Sequence, residues 1–272
     1  MANYTAADVK KLRDLTGSGM MDCKKALEES DGDFDKAVEL LREKSAKSVD
    51  KRAERTTANG LVAASGGTMI ELNSETDFVA KNPEFQKLAD AILQVAVTAQ
   101  PASLEALLAA PLEGGTVADA VQALSGRIGE KLVLKQYVTL AEPVAVYLHR
   151  RDPDLPPAIG AVVAYTGEDF DAARSVAMHI AAAKPRFTSR ADVPAGELDA
   201  QRKEAEEVAR QEGKPEEIVP RIVEGKIKKF FGDAVLLEQV SVLDESKRSM
   251  KSVLDGAGLT VREFARFEVG HA

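Results

Sequence analysis

The stretch TMIELNSETDFVAKNPEFQKLADAILQVAV, residues 68–97, sets an apolar strand over 68–72, then a polar loop, then a helix opened by Pro83 and stopped near Pro101. Proline suits the first helical position because its missing N–H has no intrahelical acceptor there. The order recurs downstream, where IGAVVAY at 159–165 leads to EDFDAARSVAMHIAAA at 168–183, stopping at Pro185. Both helices carry a phenylalanine near the start, Phe85 and Phe170, and small residues along the packing face. A second echo pairs KLVLKQYVTL, 131–140, with LTVREFARFEV, 259–269. Two copies of a strand–helix–strand unit account for both echoes. They predict an α+β fold, a duplicated core with antiparallel sheets, divided into a first subdomain at 60–140 and a second at 141–187 with 232–272.

Upstream, residues 1–45 read as a three-helix N-terminal module. Thr5 and Asp8 have the spacing of a capping box, and Val9, Leu12 and Leu15 keep helical spacing until TGSG at 16–19 breaks it. A second helix runs Met20 to Glu29, and Asp33 caps a third whose apolar face is Phe34, Val38 and Leu41. The polar stretch 46–59 reads as a linker. Residues 188–231 read as an inserted helical hairpin with an N1 proline at Pro215 and a seam of Ile218, Ile222 and Phe230. Pro220, inside the second of these helices, predicts a lost backbone bond and a kink.

Composition narrows the function. The 272 residues carry a net charge of −8, with 44% apolar and 29% charged residues, the balance of a soluble globular chain of about two domains. An acidic chain is poorly suited to a phosphate backbone, whose binding rests on cationic counterion release, so no direct nucleic-acid contact is expected. The basic bias at 42–55 reads as a solvated face. The start, MANYTAADVKK, lacks the features of a signal or transit peptide, and no apolar run reaches membrane-spanning length. A cytoplasmic location without membrane attachment is expected. One cysteine, Cys23, excludes an internal disulfide and any multi-cysteine metal site.

Signals for covalent chemistry are poor. DGDFD at 31–35 mimics the start of a calcium loop, but Lys36 and Arg42 stand where that loop needs Gly and Glu. TGSG lacks the Gly-Lys-Ser/Thr of a phosphate-binding loop. His149, His179 and His271 are widely spaced, and His179 reads as a hydrogen-bonded core residue. Neither a metal nor a cofactor is expected.

The loop in ELNSETDFVAKNPEF, 71–85, carries more information. Phe78 sits there between Asp77 and Val79. Either the ring folds back into the core, or it stands exposed beside a carboxylate as a wedge for a partner. Glu71, Glu75 and Asp77 offer a third reading as hard-cation ligands of a magnesium-dependent enzyme.

Six segments, in order along the chain, resemble the bacterial elongation factor Ts family: VKKLRDLTGSGMMDCKKAL at 9–27, NSETDFVAKNPEF at 73–85, RIGEKL at 127–132, AMHIAAAKP at 177–185, EGKIKKF at 224–230 and RFEVG at 266–270. The resemblance implies a ubiquitin-associated-like N-terminal module, and guanine-nucleotide exchange on elongation factor Tu without covalent chemistry. It implies that Thr76, Asp77, Phe78 and Val79 form the segment that dislocates the partner's magnesium, and that Leu12, Met20 and Met21 pack on its GTPase domain. It sets His149 facing the partner's other domains. Phe78 is accordingly expected to be solvent-accessible. A one-to-one complex and a dimer of heterodimers both stay open. Longer members continue into a C-terminal helical module, so its contacts are expected to be absent or replaced. The rival function is a non-catalytic adaptor or chaperone, which would bind without accelerating GDP release.

Overall fold

Three helices open the chain among the residues that the computed structural model describes, 3–50 and 54–270. The first, α1 (Ala6–Thr16), starts on a reciprocal cap: the Asp8 amide donates to the Thr5 hydroxyl at 3.2 Å, and the Thr5 amide donates to the Asp8 carboxylate at 2.7 Å. It ends on Gly17 at φ +66°, a left-handed conformation that costs glycine little. Next come α2 (Met20–Glu29) and α3 (Phe34–Asp50), the latter capped by Asp33, whose carboxylate accepts from the Lys36 amide at 3.1 Å. Leu12, Cys23, Leu27, Ala37 and Leu41 form the interior of this module. The third helix continues through 46–50, read from sequence as linker. Its apolar spacing fades there, but no Gly or Pro stops it. Positions 51–53 of that linker lie outside the described residues.

The module belongs to a unit that also takes in the chain to Thr139, His149–Ile159 and the stretch from Phe267. In it β1 (Asn59–Ser65) and β2 (Thr68–Ser74) form an antiparallel hairpin with Leu61 opposite Leu72. The chain continues through α4 (Asp77–Lys81), α5 (Pro83–Ala99), α6 (Leu104–Leu108), a small hairpin of β3 (Pro111–Leu112) and β4 (Gly115–Thr116), α7 (Val117–Ile128) and β5 (Val133–Thr139). The last strand returns antiparallel to β2, so β2 is central in the order β1-β2-β5. Phe85, Ala89, Ile92, Leu93 and Ala96 recur at helical spacing along α5 and join Ile70 and Leu72 of β2 in one core.

A second unit comprises Leu140–Leu148 and Gly160–Arg266. Its sheet has the order β6-β7-β8, from β6 (Val144–His149), β7 (Ile159–Thr166) and, at the end of the chain, β8 (Thr260–Glu268). The apolar run Ala161–Tyr165 is buried throughout, as a central strand covered on both faces requires. The helices are α8 (Phe170–Ala183), α9 (Ala195–Gln211), α10 (Val219–Ala234) and α11 (Met250–Ala257). His179 of α8 is fully buried and hydrogen-bonded, as read from sequence. Phe170 does not match Phe85: it is the first residue of its helix and half exposed, whereas Phe85 is the third of α5 and fully buried.

The α9 and α10 helices pack as an antiparallel pair, with Leu198 near one end of α9 meeting the cluster of Ile227, Phe230 and Phe231. Two expectations about this hairpin are corrected. The helix starts at Val219 rather than Pro215, so Pro220 falls in the first turn, where no intrahelical acceptor is lost and no kink follows. Val219, Val223 and Ile227 line a groove of about 390 Å³ with α9 and Phe230 packs as read, while Ile218, expected in the seam, stays exposed. The architecture is α+β, and no helix among the described residues is long and apolar enough to cross a membrane.

Candidate functional site

The polar loop expected after β2 is a helix of one turn. Thr76 caps α4, with its hydroxyl accepting from the Val79 amide at 3.4 Å, and Asp77 occupies the first turn, where a carboxylate suits the helix dipole. Successive helical residues point about 100° apart. Val79 and Ala80 therefore turn into the core while Phe78 turns out, 81% exposed. The expectation of an accessible ring holds, and the alternative of a ring folded into the core does not.

Five residues do not make a stable isolated helix. This one is held from outside. Glu130 grips its cap with both carboxylate oxygens, accepting from the Thr76 amide at 3.0 Å and from the Thr76 hydroxyl at 2.7 Å. The neighbouring Glu75 accepts from the Lys131 amide at 2.6 Å and from Arg55 Nη1 at 3.3 Å. Asn59 Nδ2 donates to the Glu75 carbonyl at 2.8 Å. Glu130 reaches the cap because Gly129, at φ +86°, ends α7 with a left-handed residue, and the Ser125 hydroxyl donates to the Glu130 carbonyl at 2.6 Å. No spacing in the sequence marks Glu130, which lies 54 residues from Thr76.

The cation-site reading of Glu71, Glu75 and Asp77 fails on geometry. Glu71 is fully buried with Lys135 Nζ at 3.7 Å, while Glu75 is committed to Lys131 and Arg55. Among the described residues no three His, Cys, Asp or Glu side chains converge as a metal site. Burial holds the Glu71 carboxyl above its ordinary pKa, against the opposing pull of Asn73 and Lys135.

On the N-terminal module, Met20 and Met21 are 59% and 75% exposed at the start of α2. Leu12 is not part of that surface; its side chain is completely buried in the module's core. Leu15, in the last turn of α1, is the exposed leucine instead; its spacing of three from Leu12 would place both on one face, so no sequence signal singles it out. The Arg127 stem lies across the turn that leads to these methionines, so close that a Cβ at Gly17 would fall 1.7 Å from Arg127 Cδ. The Arg127 guanidinium then meets Glu84, on α5, at 2.9 Å. His149 ends β6, exposed, with its carbonyl accepting from the Ala158 amide at 2.9 Å. It shares an element with neither the Phe78 turn nor the methionines.

The α+β chain thus holds an aromatic ring out in solvent on the capped α4 turn and a methionine pair at the start of α2. The chain belongs to the elongation factor Ts family. That family's profile, described as elongation factor TS, matches residues 75–271. Relatives named elongation factor Ts are similar over the whole length: one from Mycobacterium ulcerans is 60% identical over 272 residues, covering 100% of both chains. One from Nocardia farcinica is 59% identical over 276 residues, again covering 100% of both, and one from Corynebacterium diphtheriae is 56% identical over 274 residues, covering 99% of each.

Proposed function

We propose that this chain is a guanine-nucleotide exchange factor acting in the cytoplasm during translation elongation. It binds elongation factor Tu carrying GDP, dislocates the magnesium ion and promotes GDP release, with no covalent step. The observation that carries the reading is Phe78, 81% exposed on a turn whose cap is clamped in place. A clamped turn presents the ring to a pocket without the entropic cost of ordering its backbone on contact. Asp77, beside it, contributes a carboxylate near the displaced cation. Thr76 and the buried Val79 hold the turn from either side. Met20 and Met21, with Leu15, take the GTPase domain, and Leu12 supports them from the module's interior. His149 faces the partner's other domains.

Magnesium bridges GDP to its GTPase, so displacing it removes much of the nucleotide's electrostatic anchor. The factor need not touch GDP. It binds the nucleotide-free partner more tightly than the nucleotide-bound one, and reciprocity then weakens nucleotide binding by the same factor. The three-helix module is read as ubiquitin-associated-like and the two three-stranded sheets as duplicated halves of the core; the central strand of each is followed by a helix, which supports the second reading. The complex is either one-to-one or a dimer of heterodimers.

The test is stopped-flow release of fluorescent GDP from elongation factor Tu, with the wild-type factor and with Asp77→Ala and Phe78→Ala, at high and low free magnesium. Strong acceleration by wild type, lost in the variants mainly at high magnesium, is expected. Tight binding without acceleration would leave an adaptor or chaperone in its place.

A further inference from the structure

The contacts that hold α4 reach beyond the residues assigned to exchange above. Phe78 has little neighbouring protein to steady its ring, so its direction depends on the backbone of a five-residue helix. That helix is tied to the sheet at its entry, where the Ser74 hydroxyl donates to the Thr76 carbonyl at 2.9 Å, and at its cap by Glu130. The cap is a relay. The Thr76 hydroxyl donates its hydrogen bond to Glu130 Oε1, which leaves the hydroxyl's lone pairs aimed at the Val79 amide. Without an acceptor at Glu130, the hydroxyl can rotate and its amide neighbour loses a charged partner. Glu130 is itself fixed by the left-handed Gly129 and by the Ser125 hydroxyl on its carbonyl.

Resting on the exchange reading above, we infer that Glu130 is a positioning residue for exchange: by gripping the Thr76 amide and hydroxyl, it sets the direction in which α4 presents Phe78 to the GTPase. It touches neither nucleotide nor magnesium. Its carboxylate fits this task better than an amide, because both oxygens accept at once and a side-chain amide offers only one acceptor. Its effect passes through Phe78 and vanishes when the ring is absent.

A double-mutant cycle on GDP release separates this from general support of the fold. The proteins are the wild type, Glu130→Ala, Glu130→Gln, Phe78→Ala and Glu130→Ala with Phe78→Ala, each at saturating factor, with the thermal midpoint of each measured alongside. Glu130→Ala is expected to slow the accelerated release between about tenfold and a hundredfold, the penalty of a misplaced contact group. Glu130→Gln, keeping one acceptor, should fall between wild type and Glu130→Ala. The double variant should release GDP no more slowly than Phe78→Ala alone. Thr76→Val removes the hydroxyl bond without emptying the site and should reproduce the direction of the loss, which keeps the inference testable if Glu130→Ala folds poorly. Additive losses, or Glu130 variants as fast as wild type, would overturn it while leaving the exchange function intact. A wild-type factor that accelerates nothing would instead sink the exchange reading, and this inference with it.

Discussion

Phe78 and Val79 are adjacent in sequence and opposite in environment, the ring 81% exposed and the valine 6% exposed on the same turn of helix. Phe78→Ala should leave the unfolding free energy within about 0.5 kcal/mol of wild type while it slows GDP release. Val79→Ala should cost ~1–3 kcal/mol through lost burial and a residual cavity. Urea unfolding of the two variants checks the contrast.

The same separation applies to the N-terminal module. Leu12, enclosed by Cys23, Leu27 and Leu41, should cost ~2–5 kcal/mol when cut to alanine. Met21→Ala, on the surface, should change stability by less than about 0.5 kcal/mol and weaken binding of elongation factor Tu. Calorimetric titration beside thermal unfolding distinguishes the two. A Met21 variant that binds as wild type would remove the methionines from the partner surface.

His179 predicts a pH dependence. Gln239 Nε2 donates to the carbonyls of Ala183 and Asp233, which turns its Oε1 to His179 Nε2 at 2.9 Å. The Val242 amide donates to His179 Nδ1 at 3.2 Å. The ring is therefore neutral with its proton on Nε2, and a second proton on Nδ1 would oppose the Val242 N–H. Burial lowers its pKa below the ordinary 6.5, the Gln239 bond opposing more weakly. The unfolded chain thus binds the proton more readily, so this stabilisation is full above pH 6.5 and is lost as pH falls toward the folded value. The difference in unfolding free energy between wild type and His179→Gln should shrink across that window, by at most about 1.4 kcal/mol per pH unit. A difference independent of pH would contradict the neutral assignment.

Glu71 has the opposite sign. Its folded pKa is raised by burial, so the native state holds the proton more tightly and its contribution to stability falls as pH rises through the folded value. Neither carboxylate oxygen, nor the nearby Asn73 Oδ1, has a hydrogen-bond partner among the described residues. Glu71→Gln supplies an N–H donor and removes the buried charge, and should raise stability at neutral pH by ~1 kcal/mol. The gain should fade on acidification. Denaturant titrations at pH 7.5, well above the ordinary glutamate pKa of about 4.3, and at pH 4.5, close to it, read both arms.

What the sequence determined by itself was local. The Thr5–Asp8 box, the Asp33 cap, the proline that opens α5 and the apolar runs of β2 and β7 are each decided by neighbours within a few residues, where capping and periodicity act. The hairpin shows the limit of such reasoning. Two prolines, Pro215 and Pro220, each satisfied the rule for a helix start, and choosing the first put the exposed Ile218 into the seam, although Phe230 packs there as read. Only the tertiary structure decided which of several apolar neighbours would face solvent, separating Phe78 from Val79 and Leu15 from Leu12, because that depends on which surface packs over each one. It alone brought Glu130 to Thr76 and Arg127 to Gly17, contacts between residues far apart in sequence whose chemical types are ordinary until the chain folds them together.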